Sequence, residues 1–370
     1  MSNDPWYLIQ NVDEIPSPSL LVYPDRVEEN VQRMIRMTGG PDRLRPHVKT
    51  HKLPELIRQQ RAAGITKFKC ATIAEAEMTL GCGALDLLLA YQPVGPNISR
   101  LITLIKRFPD AAIRTIADDA EILRLLSEAA TREDVEIDLL LDMDCGQHRS
   151  GTAPDSDALD LYRLIGMLPG LRPGGIHAYD GHIRDPDLEA RRRRCEEASA
   201  SVAAFKNRLL KAGLSVPRVV SGGTPTFPFH ARNEGLECSP GTCVLWDHGY
   251  GTHFPDMDFL LAALVLTRVV SKPSAGRLCL DLGHKSIASE GPHPRVHLFA
   301  LPEAEFVAHS EEHLVVATPR AGEFAVGDCL YGAPWHICPT VALHGHAVAV
   351  KEGRAEERWA VAARERMLTI

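Results

Sequence analysis

The sequence lacks several features that would place it in common functional classes. Its 41 basic and 48 acidic side chains give a net charge of −7, so there is no positive field to draw nucleic acid. No apolar run approaches the ~18 residues of a membrane-spanning helix. The segment Met1–Pro5 has neither the basic nor the apolar region of a signal peptide. We therefore expect a cytoplasmic protein that binds neither nucleic acid nor membranes.

Disulfide patterns are also missing. The nine cysteines are an odd number, are spread over 370 residues and contain no CxxC pair. Disulfide-stabilised scaffolds are small and secreted and carry paired cysteines, so we expect reduced thiols. Most of them should only fill space in a hydrophobic core. Cys338 differs, because His336 stands two residues before it.

The first part of the chain alternates short β-rich runs with longer amphipathic stretches, which is typical of βα units. Eight such runs begin about 28 residues apart on average, the size of one unit. Eight units favour a closed (β/α)8 TIM-like barrel over an open sheet. The predicted strands are Leu20–Tyr23, Leu44–Val48, Lys67–Thr72, Asp86–Ala90, Ala112–Ala117, Glu136–Leu141, Gly174–His177 and Arg218–Val220.

After Phe254 the pattern changes to short strands separated by glycine, proline and charged turns, which indicates an antiparallel β domain of about 110 residues. The predicted domains are 15–250 for the barrel and 251–370, with 1–14, for the β domain. A helix is predicted only at Glu356–Glu365, and Trp6–Gln10 is a candidate edge strand. The predicted strands of this domain are Leu260–Val269, Arg277–Leu282, Val296–Phe299, His313–Ala317, Cys329–Tyr331 and Ala347–Val350.

Two clusters follow predicted barrel strands at the carboxyl-terminal face, where barrel enzymes carry their chemistry. Lys49 ends the second strand, where an amine can be desolvated and become nucleophilic. Ser221–Thr224 ends the eighth, and its glycines and hydroxyls suit a phosphate, as do those of Ser239–Thr242. Taken singly, these segments also fit a solvated loop and ordinary turns. Together, on adjacent strands of a closed barrel, they favour a phosphorylated carbonyl cofactor held by the lysine.

The segment Pro46–Lys52 resembles the pyridoxal-phosphate segment of fold-type III enzymes, which combine an alanine-racemase-like barrel with a β domain. Within that group the chain is similar to the D-threonine aldolase and D-serine dehydratase branch over about residues 15–365. The resemblance implies an α/β fold, a (β/α)8 barrel of the alanine racemase type with a C-terminal antiparallel β domain, and a homodimer. It also extends over Asp142–Gly151, Ala178–His182, Ser221–Thr224, Pro240-Gly241 and Trp335–Thr340.

The resemblance also implies roles for single residues. Lys49 would carry pyridoxal 5′-phosphate as a Schiff base, and Arg149 would reach the phenolic oxygen of the cofactor or the lysine. Tyr179 would line the cofactor and substrate pocket. His182 is the candidate catalytic proton-transfer residue, with Asp185 as the alternative. The residues expected to bind the phosphate are Gly222, Gly223, Thr224, Gly241 and Thr242.

His336 and Cys338 form a possible metal site. At this spacing on an extended segment both side chains point to the same side, and imidazole with thiolate suits Zn²⁺ or a similar metal. Most cysteines in such pairs belong to a core. The resemblance implies a divalent metal here (Zn²⁺, Mn²⁺ or Mg²⁺), with His-x-Cys in the dehydratases and His-x-Asp in some aldolases.

The resemblance therefore implies a lyase that acts on small D-β-hydroxy-α-amino acids. Similarity over the whole chain favours D-threonine aldolase, which releases glycine and an aldehyde. The thiol of Cys338 favours instead a D-serine or D-3-hydroxyaspartate dehydratase, which releases a 2-oxo acid and ammonia. A metal-independent amino-acid racemase is a more distant alternative. A non-catalytic pyridoxal-phosphate carrier would be a single barrel and would not need the β domain.

Overall fold

The computed structural model describes residues 5–370, which form sixteen β-strands and ten α-helices. The strands are β1 (Ser19–Val22), β2 (Lys67–Cys70), β3 (Asp86–Leu89), β4 (Ala112–Ala117), β5 (Ile137–Met143), β6 (Leu171–Ala178), β7 (Val219–Ser221), β8 (Glu237–Cys238), β9 (Ala263–Ser271), β10 (Arg277–Leu280), β11 (Val296–Leu298), β12 (Glu305–His309), β13 (Leu314–Ala317), β14 (Cys329–Pro334), β15 (His346–Lys351) and β16 (Arg354–Ala360). The helices are α1 (Pro24–Thr38), α2 (Pro54–Ala62), α3 (Ile73–Gly81), α4 (Pro96–Arg107), α5 (Ala120–Arg132), α6 (Ser156–Met167), α7 (Leu188–Lys211), α8 (Phe227–His230), α9 (His248–His253) and α10 (Ile337–Leu343).

These elements form two compact units, each assembled from separate parts of the chain. Both units are discontinuous in sequence, and the sequence predicts 15–250 for the barrel and 251–370, with 1–14, for the β domain. Among residues 5–370, none of the helices combines the length and the apolar character needed to span a lipid bilayer. The barrel unit comprises Arg33–Lys49, Ile57–Gly241 and Glu365–Ile370, and the β unit comprises the described residues up to Gln32, Thr50–Leu56 and Thr242–Arg364.

The barrel unit is built on seven parallel strands, β2 to β8, each paired with the next. Residues 44–47 take the eighth position, because Leu44 bridges to Cys238 in β8 and His47 bridges to Lys69 in β2. The sheet therefore closes on itself, and the predicted TIM-like barrel is confirmed.

Ordinary sequence signals explain the barrel elements. Strand β5 is buried along its whole length, as expected of a parallel strand covered on both faces. The barrel interior contains Leu88, Ile116, Leu140 and Val220, from four different strands. Four helices begin at a Thr or Asp side chain that accepts a backbone N–H, the usual amino-terminal cap. The capping residues of α3, α5, α6 and α7 are Thr72, Asp119, Asp155 and Asp187.

The β unit contains a nine-stranded sheet. Its main path runs β12-β13-β10-β9-β1-β15-β16, with β14 paired to β9 and β11 paired to β14. All of these pairs are antiparallel except β1 with β15. One side of the sheet packs on an apolar cluster that includes Val265, Leu280, Leu314 and Leu330. The predicted antiparallel β domain is confirmed.

The assignment of Leu20–Tyr23 to the barrel is wrong. Ser19–Val22 forms β1 in the other sheet, where it pairs with β9 and β15. An apolar run looks the same in either sheet, since strand partners are chosen by contacts distant in sequence. The missing barrel strand is β8 (Glu237–Cys238), which is too short to show a pattern. Consequently the glycine segment 221–224 follows β7, and β8 separates it from the segment that ends at Lys49.

Two further predictions are wrong. The tail predicted as a helix, Glu356–Glu365, continues β16 as far as Ala360 and has only a 3-10 turn at Ala362–Arg364. Strand β16 forms a hairpin with β15. Glu352 and Gly353 make its two-residue turn with φ values of 49° and 74°, as a type I′ turn requires, and sheet pairing outweighs the helix preference of Glu and Ala. Trp6–Gln10 forms a turn and irregular backbone instead of an edge strand.

Candidate active site

A cavity of about 570 Å³ lies at the carboxyl-terminal ends of the barrel strands. Lys49, Arg149 and Tyr179, which the sequence assigns to a cofactor pocket, all line it. This is the face at which barrel enzymes carry their catalytic groups. The cavity is therefore the candidate active site.

Lys49 lies in a single 3-10 turn, Val48–Thr50, directly after the segment that closes the barrel. Its backbone N–H donates to Nδ1 of His47 over 3.3 Å, which fixes the turn. The residue is exposed, so its amine can be reached by a small molecule that enters the cavity. This is the access that covalent attachment of a carbonyl cofactor requires.

A second lysine in the cavity wall, Lys69, is missed by the sequence analysis. It is only 2% exposed, and its Nζ donates to Oγ of Ser239 over 2.5 Å. Burial and then the positive charge of Lys49 lower the pKa of Lys69, the carboxylates of Asp180 and Asp142 oppose this, and the resulting pKa is about 7. Its place between the apolar residues Phe68 and Cys70 of a predicted strand was the available signal.

Asp142 and His177 form a buried pair in the same wall, which the sequence analysis also missed. Nδ1 of His177 lies 2.7 Å from Oδ1 of Asp142, and Ser150 Oγ donates to Oδ2 of that carboxylate over 3.0 Å. The other ring nitrogen, Nε2, is buried and has no hydrogen-bond partner among the described residues. A buried polar atom without a partner fits a site that a bound molecule completes.

Tyr179 is held between cationic groups and glycines. The guanidinium carbon of Arg149 lies 4.9 Å from the centre of its ring, and Nζ of Lys69 lies 5.5 Å from it. A Cβ atom at Gly223 would lie 3.0 Å from the ring, and one at Gly181 only 2.2 Å from Oη. Side chains at these two positions would displace the tyrosine, so the glycines fix its place in the cavity wall.

The predicted phosphate loop has a fixed shape but few free amides. The N–H of Gly222 donates to the Ala178 carbonyl (3.1 Å), that of Gly223 to Oδ1 of Asp180 (3.0 Å) and that of Gly241 to Oγ1 of Thr224 (3.2 Å). A phosphate here would be held by other donors of these loops or would replace these bonds. The structure brings Gly222, Gly223, Thr224 and Gly241 together in the barrel unit, whereas Thr242 belongs to the β unit.

Asp180 joins this loop to a buried group of potential metal ligands. Its Oδ2 lies 2.7 Å from Nε2 of His230, which is 3.5 Å from Sγ of Cys195. Burial lowers the pKa of His230, but its bonds to Asp180 and Cys195 outweigh this and raise the pKa to about 10. The three ligand atoms lie within 4.8 Å of one another, so these side chains could share a metal ion.

His182 also has a buried ring nitrogen, Nδ1, without a hydrogen-bond partner among the described residues. It is not among the described residues that line the cavity, and its Nε2 would lie 3.1 Å from a Cβ at Gly146. The alternative, Asp185, accepts a hydrogen bond from Arg194 over 2.9 Å. A role of either residue in proton transfer therefore stays a prediction.

The predicted metal pair, His336 and Cys338, lies in the β unit. The segment is not extended throughout, since His336 caps α10 and Cys338 lies in its first turn, where its Sγ donates to Oγ1 of Thr50 over 3.3 Å. Burial lowers the pKa of His336, but Cys338 and Glu290, whose Oε1 lies 2.5 Å from Nδ1, raise it to about 9. Imidazole nitrogen and thiolate sulfur are ligands that suit zinc, and the carboxylate of Glu290 contacts the imidazole.

Known proteins match the chain over both units. Residues 22–247 match the alanine racemase N-terminal domain family, and residues 262–350 match the serine dehydratase domain family. The chain is 31% identical to the D-threonine aldolase of an Arthrobacter species, over 95% of this chain and 93% of that one. It is 28% identical to the 3-hydroxy-D-aspartate aldolase of Paracoccus denitrificans (strain Pd 1222), over 95% and 92%. The crystal structure of D-threonine aldolase from Filomicrobium marinum matches with a TM-score of 0.89 at 28% identity, over 98% and 99%.

Proposed function

The chain belongs to the family of the alanine racemase N-terminal domain, here followed by a serine dehydratase domain, and we propose that it is a D-threonine aldolase. It is a pyridoxal-phosphate-dependent lyase that acts on a small amino acid. The proposed reaction cleaves D-threonine or a similar D-β-hydroxy-α-amino acid into glycine and an aldehyde.

The observation that carries this proposal is the accessible amine of Lys49 in a cavity that Arg149 and Tyr179 also line. Bound pyridoxal phosphate supplies an electron sink for a bond that breaks at the α-carbon of an amino acid. Lys49 would hold it covalently, Tyr179 and Arg149 would fix its ring, and loop 222–224 would hold its phosphate. Similarity to two aldolases over 95% of the chain favours cleavage between the α- and β-carbons.

We propose that His336 and Cys338 hold the divalent metal. The contact of Glu290 with Nδ1 of His336 supports this assignment, because a carboxylate partner orients a metal-binding imidazole. The buried group at Asp180, Cys195 and His230 is the alternative. Bound zinc per chain should fall at least about tenfold in His336→Ala and stay unchanged in Cys195→Ala. Elemental analysis of both purified variants measures this. The opposite pattern would move the metal to the buried group.

A second candidate is a dehydratase for the same class of substrate. The thiol of Cys338 two residues after His336 is the observation that favours it, because the resemblance associates His-x-Cys with the dehydratases. This reaction would release ammonia and a 2-oxo acid instead of glycine and an aldehyde.

Product analysis distinguishes the two reactions. Protein loaded with pyridoxal phosphate and zinc is incubated with D-threonine, and acetaldehyde and glycine are expected. 2-Oxobutanoate and ammonia would indicate the dehydratase instead. The matched control is Lys49→Ala, which should lose the yellow chromophore that borohydride removes and at least about a thousandfold of the activity. Absence of product and chromophore in the unmodified protein would refute both candidates.

A further inference from the structure

We propose that His177 is a catalytic residue that accepts the proton of the substrate's β-hydroxyl, and that Asp142 is the positioning residue that orients it. The inference rests on the proposed aldolase function and adds the proton acceptor which that reaction needs. Neither residue is among the site residues that the sequence predicts, and the predicted candidate, His182, does not line the cavity.

The geometry of the pair is that of a base held by a carboxylate. Asp142 accepts a hydrogen bond at each oxygen, from Nδ1 of His177 (2.7 Å) and from Ser150 Oγ (3.0 Å). The proton of the neutral imidazole therefore lies on Nδ1, which leaves a lone pair on Nε2. In catalytic triads a carboxylate fixes the tautomer and orientation of histidine in this way. Nε2 of His177 is also the ring nitrogen without a partner among the described residues.

The surroundings keep this imidazole in its basic form. Burial lowers the pKa of His177, and the positive charges of Lys69 on β2 and of Arg149 after β5 lower it further. Asp142 on β5 opposes them but does not reverse the shift. The pKa therefore stays below the usual value of about 6.5, and at neutral pH the ring can accept a proton.

The β-hydroxyl gives its proton to Nε2 of His177, and the O–H electron pair forms the second bond of the aldehyde carbonyl. The bond between Cα and Cβ breaks, and its electron pair remains with the glycine fragment. That fragment then takes up one proton at Cα, and His177 loses one to regenerate the base. The sum is one D-threonine converted to one glycine and one acetaldehyde.

The test compares His177→Gln with Asp142→Asn in protein loaded with pyridoxal phosphate and zinc. The amide introduced by His177→Gln can still donate to Asp142 but cannot serve as a base, so kcat should fall by roughly 10²–10⁴-fold while KM changes less than about threefold. In the unmodified enzyme kcat/KM should fall as the pH drops through the pKa of His177, and this limb should be absent in His177→Gln. Asp142→Asn should lower kcat at least about tenfold. Added imidazole should restore part of the activity of His177→Ala.

The matched control is His313→Gln, an exposed histidine of the β unit, which should leave kcat unchanged. Retention of the yellow chromophore in His177→Gln separates proton transfer from cofactor binding. Loss of the chromophore would assign His177 to cofactor binding and overturn the inference, as would unchanged kcat and pH profile. If the unmodified enzyme does not cleave D-threonine, the proposed function fails and this inference fails with it. An active enzyme with an unaffected variant refutes the inference alone.

Discussion

The two ends of the barrel are built from the same strands, but charged side chains are paired at one end and incompletely paired at the other. At the amino-terminal end a ring of charged side chains closes the barrel, and oppositely charged neighbours pair around it. Arg45 is completely buried and lies 2.7 Å from both Asp86 and Glu237. Arg114 lies 2.8 Å from Asp138 and also pairs with Asp86. The ring consists of Arg45, Lys67, Asp86, Arg114, Asp138, Arg172, Arg218 and Glu237.

At the carboxyl-terminal end the charges are less well compensated. Lys69 is buried in the wall that also contains Lys49 and Arg149, and its hydrogen bond goes to the uncharged Ser239. His177 has a carboxylate on one side and, among the described residues, an unpartnered nitrogen on the other. Burial and cationic neighbours lower the pKa of both Lys69 and His177.

This difference indicates that the charges of the ring stabilise the fold, whereas those of the cavity are suited to catalysis. In the ring, carboxylates outweigh the burial of Arg45 and raise its pKa, while Arg45 and Lys67 outweigh the burial of Glu237 and lower the pKa of that carboxyl. Both groups are thereby stabilised in their charged forms. In the cavity the same burial favours the uncharged forms, which can form bonds and accept protons. Groups shifted in this way are concentrated at functional sites, where a protein departs from its most stable arrangement.

The largest expected effect on stability comes from the ring. Arg45→Met should lower the free energy of unfolding by about 3–5 kcal/mol, because it leaves Asp86 and Glu237 without their buried partner. Denaturant unfolding at neutral pH measures this. The turnover of molecules that remain folded should be unchanged, since Arg45 lies at the opposite end of the barrel from the cavity.

The matched control is Lys67→Met, which removes another positive charge from Glu237 at a partly exposed site. It should change the free energy of unfolding by less than about 1 kcal/mol. Equal losses in the free energy of unfolding for the two substitutions would contradict the conclusion that the effect of Arg45 depends on its burial. A loss of turnover in folded Arg45→Met would contradict the separation of the two ends.

Most of the fold could be predicted because its strands are short apolar runs at regular spacing. Asp86–Ala90 and Ala112–Ala117 correspond closely to β3 and β4. The errors are contacts that local sequence does not encode. Ser19–Val22 has the composition of any buried strand, and only its pairing with β9 and β15 places it in the β unit. The first half of the predicted C-terminal helix lies in β16, because a two-residue turn at Glu352-Gly353 places it antiparallel to β15.

The residues of the candidate site also fall into those that sequence motifs predict and those that depend on contacts distant in sequence. Lys49, Arg149 and Tyr179 stand in motifs that the resemblance covers, and the structure places all three around one cavity. His177 and Asp142 lie on neighbouring strands and are 35 residues apart, so their hydrogen bond depends on strand register. No spacing in the sequence predicts that contact.

Substitution of the buried Lys69 should change the free energy of unfolding in the opposite direction to substitution of Arg45. Lys69→Met should stabilise the cofactor-free protein at pH 6 by about 1–3 kcal/mol, because it removes a buried charge at the loss of one hydrogen bond to Ser239. The pKa of Lys69 is about 7 in the folded protein and about 10.5 in the unfolded chain, so the unfolded state binds more protons between these values. The gain should therefore be complete below pH 7 and shrink as the pH rises toward 10.

Denaturant unfolding at pH 6, 8 and 9.5 measures this trend. Lys67→Met, on the same strand but 27% exposed at its side chain, is the control and should change stability by less than about 1 kcal/mol at each pH. Destabilisation by Lys69→Met at pH 6 would show that the partners of Lys69 offset the cost of burying its charge, as the ion pairs of the ring do for Arg45. Buried charges would then be offset by their partners equally well in the cavity and at the amino-terminal end of the barrel.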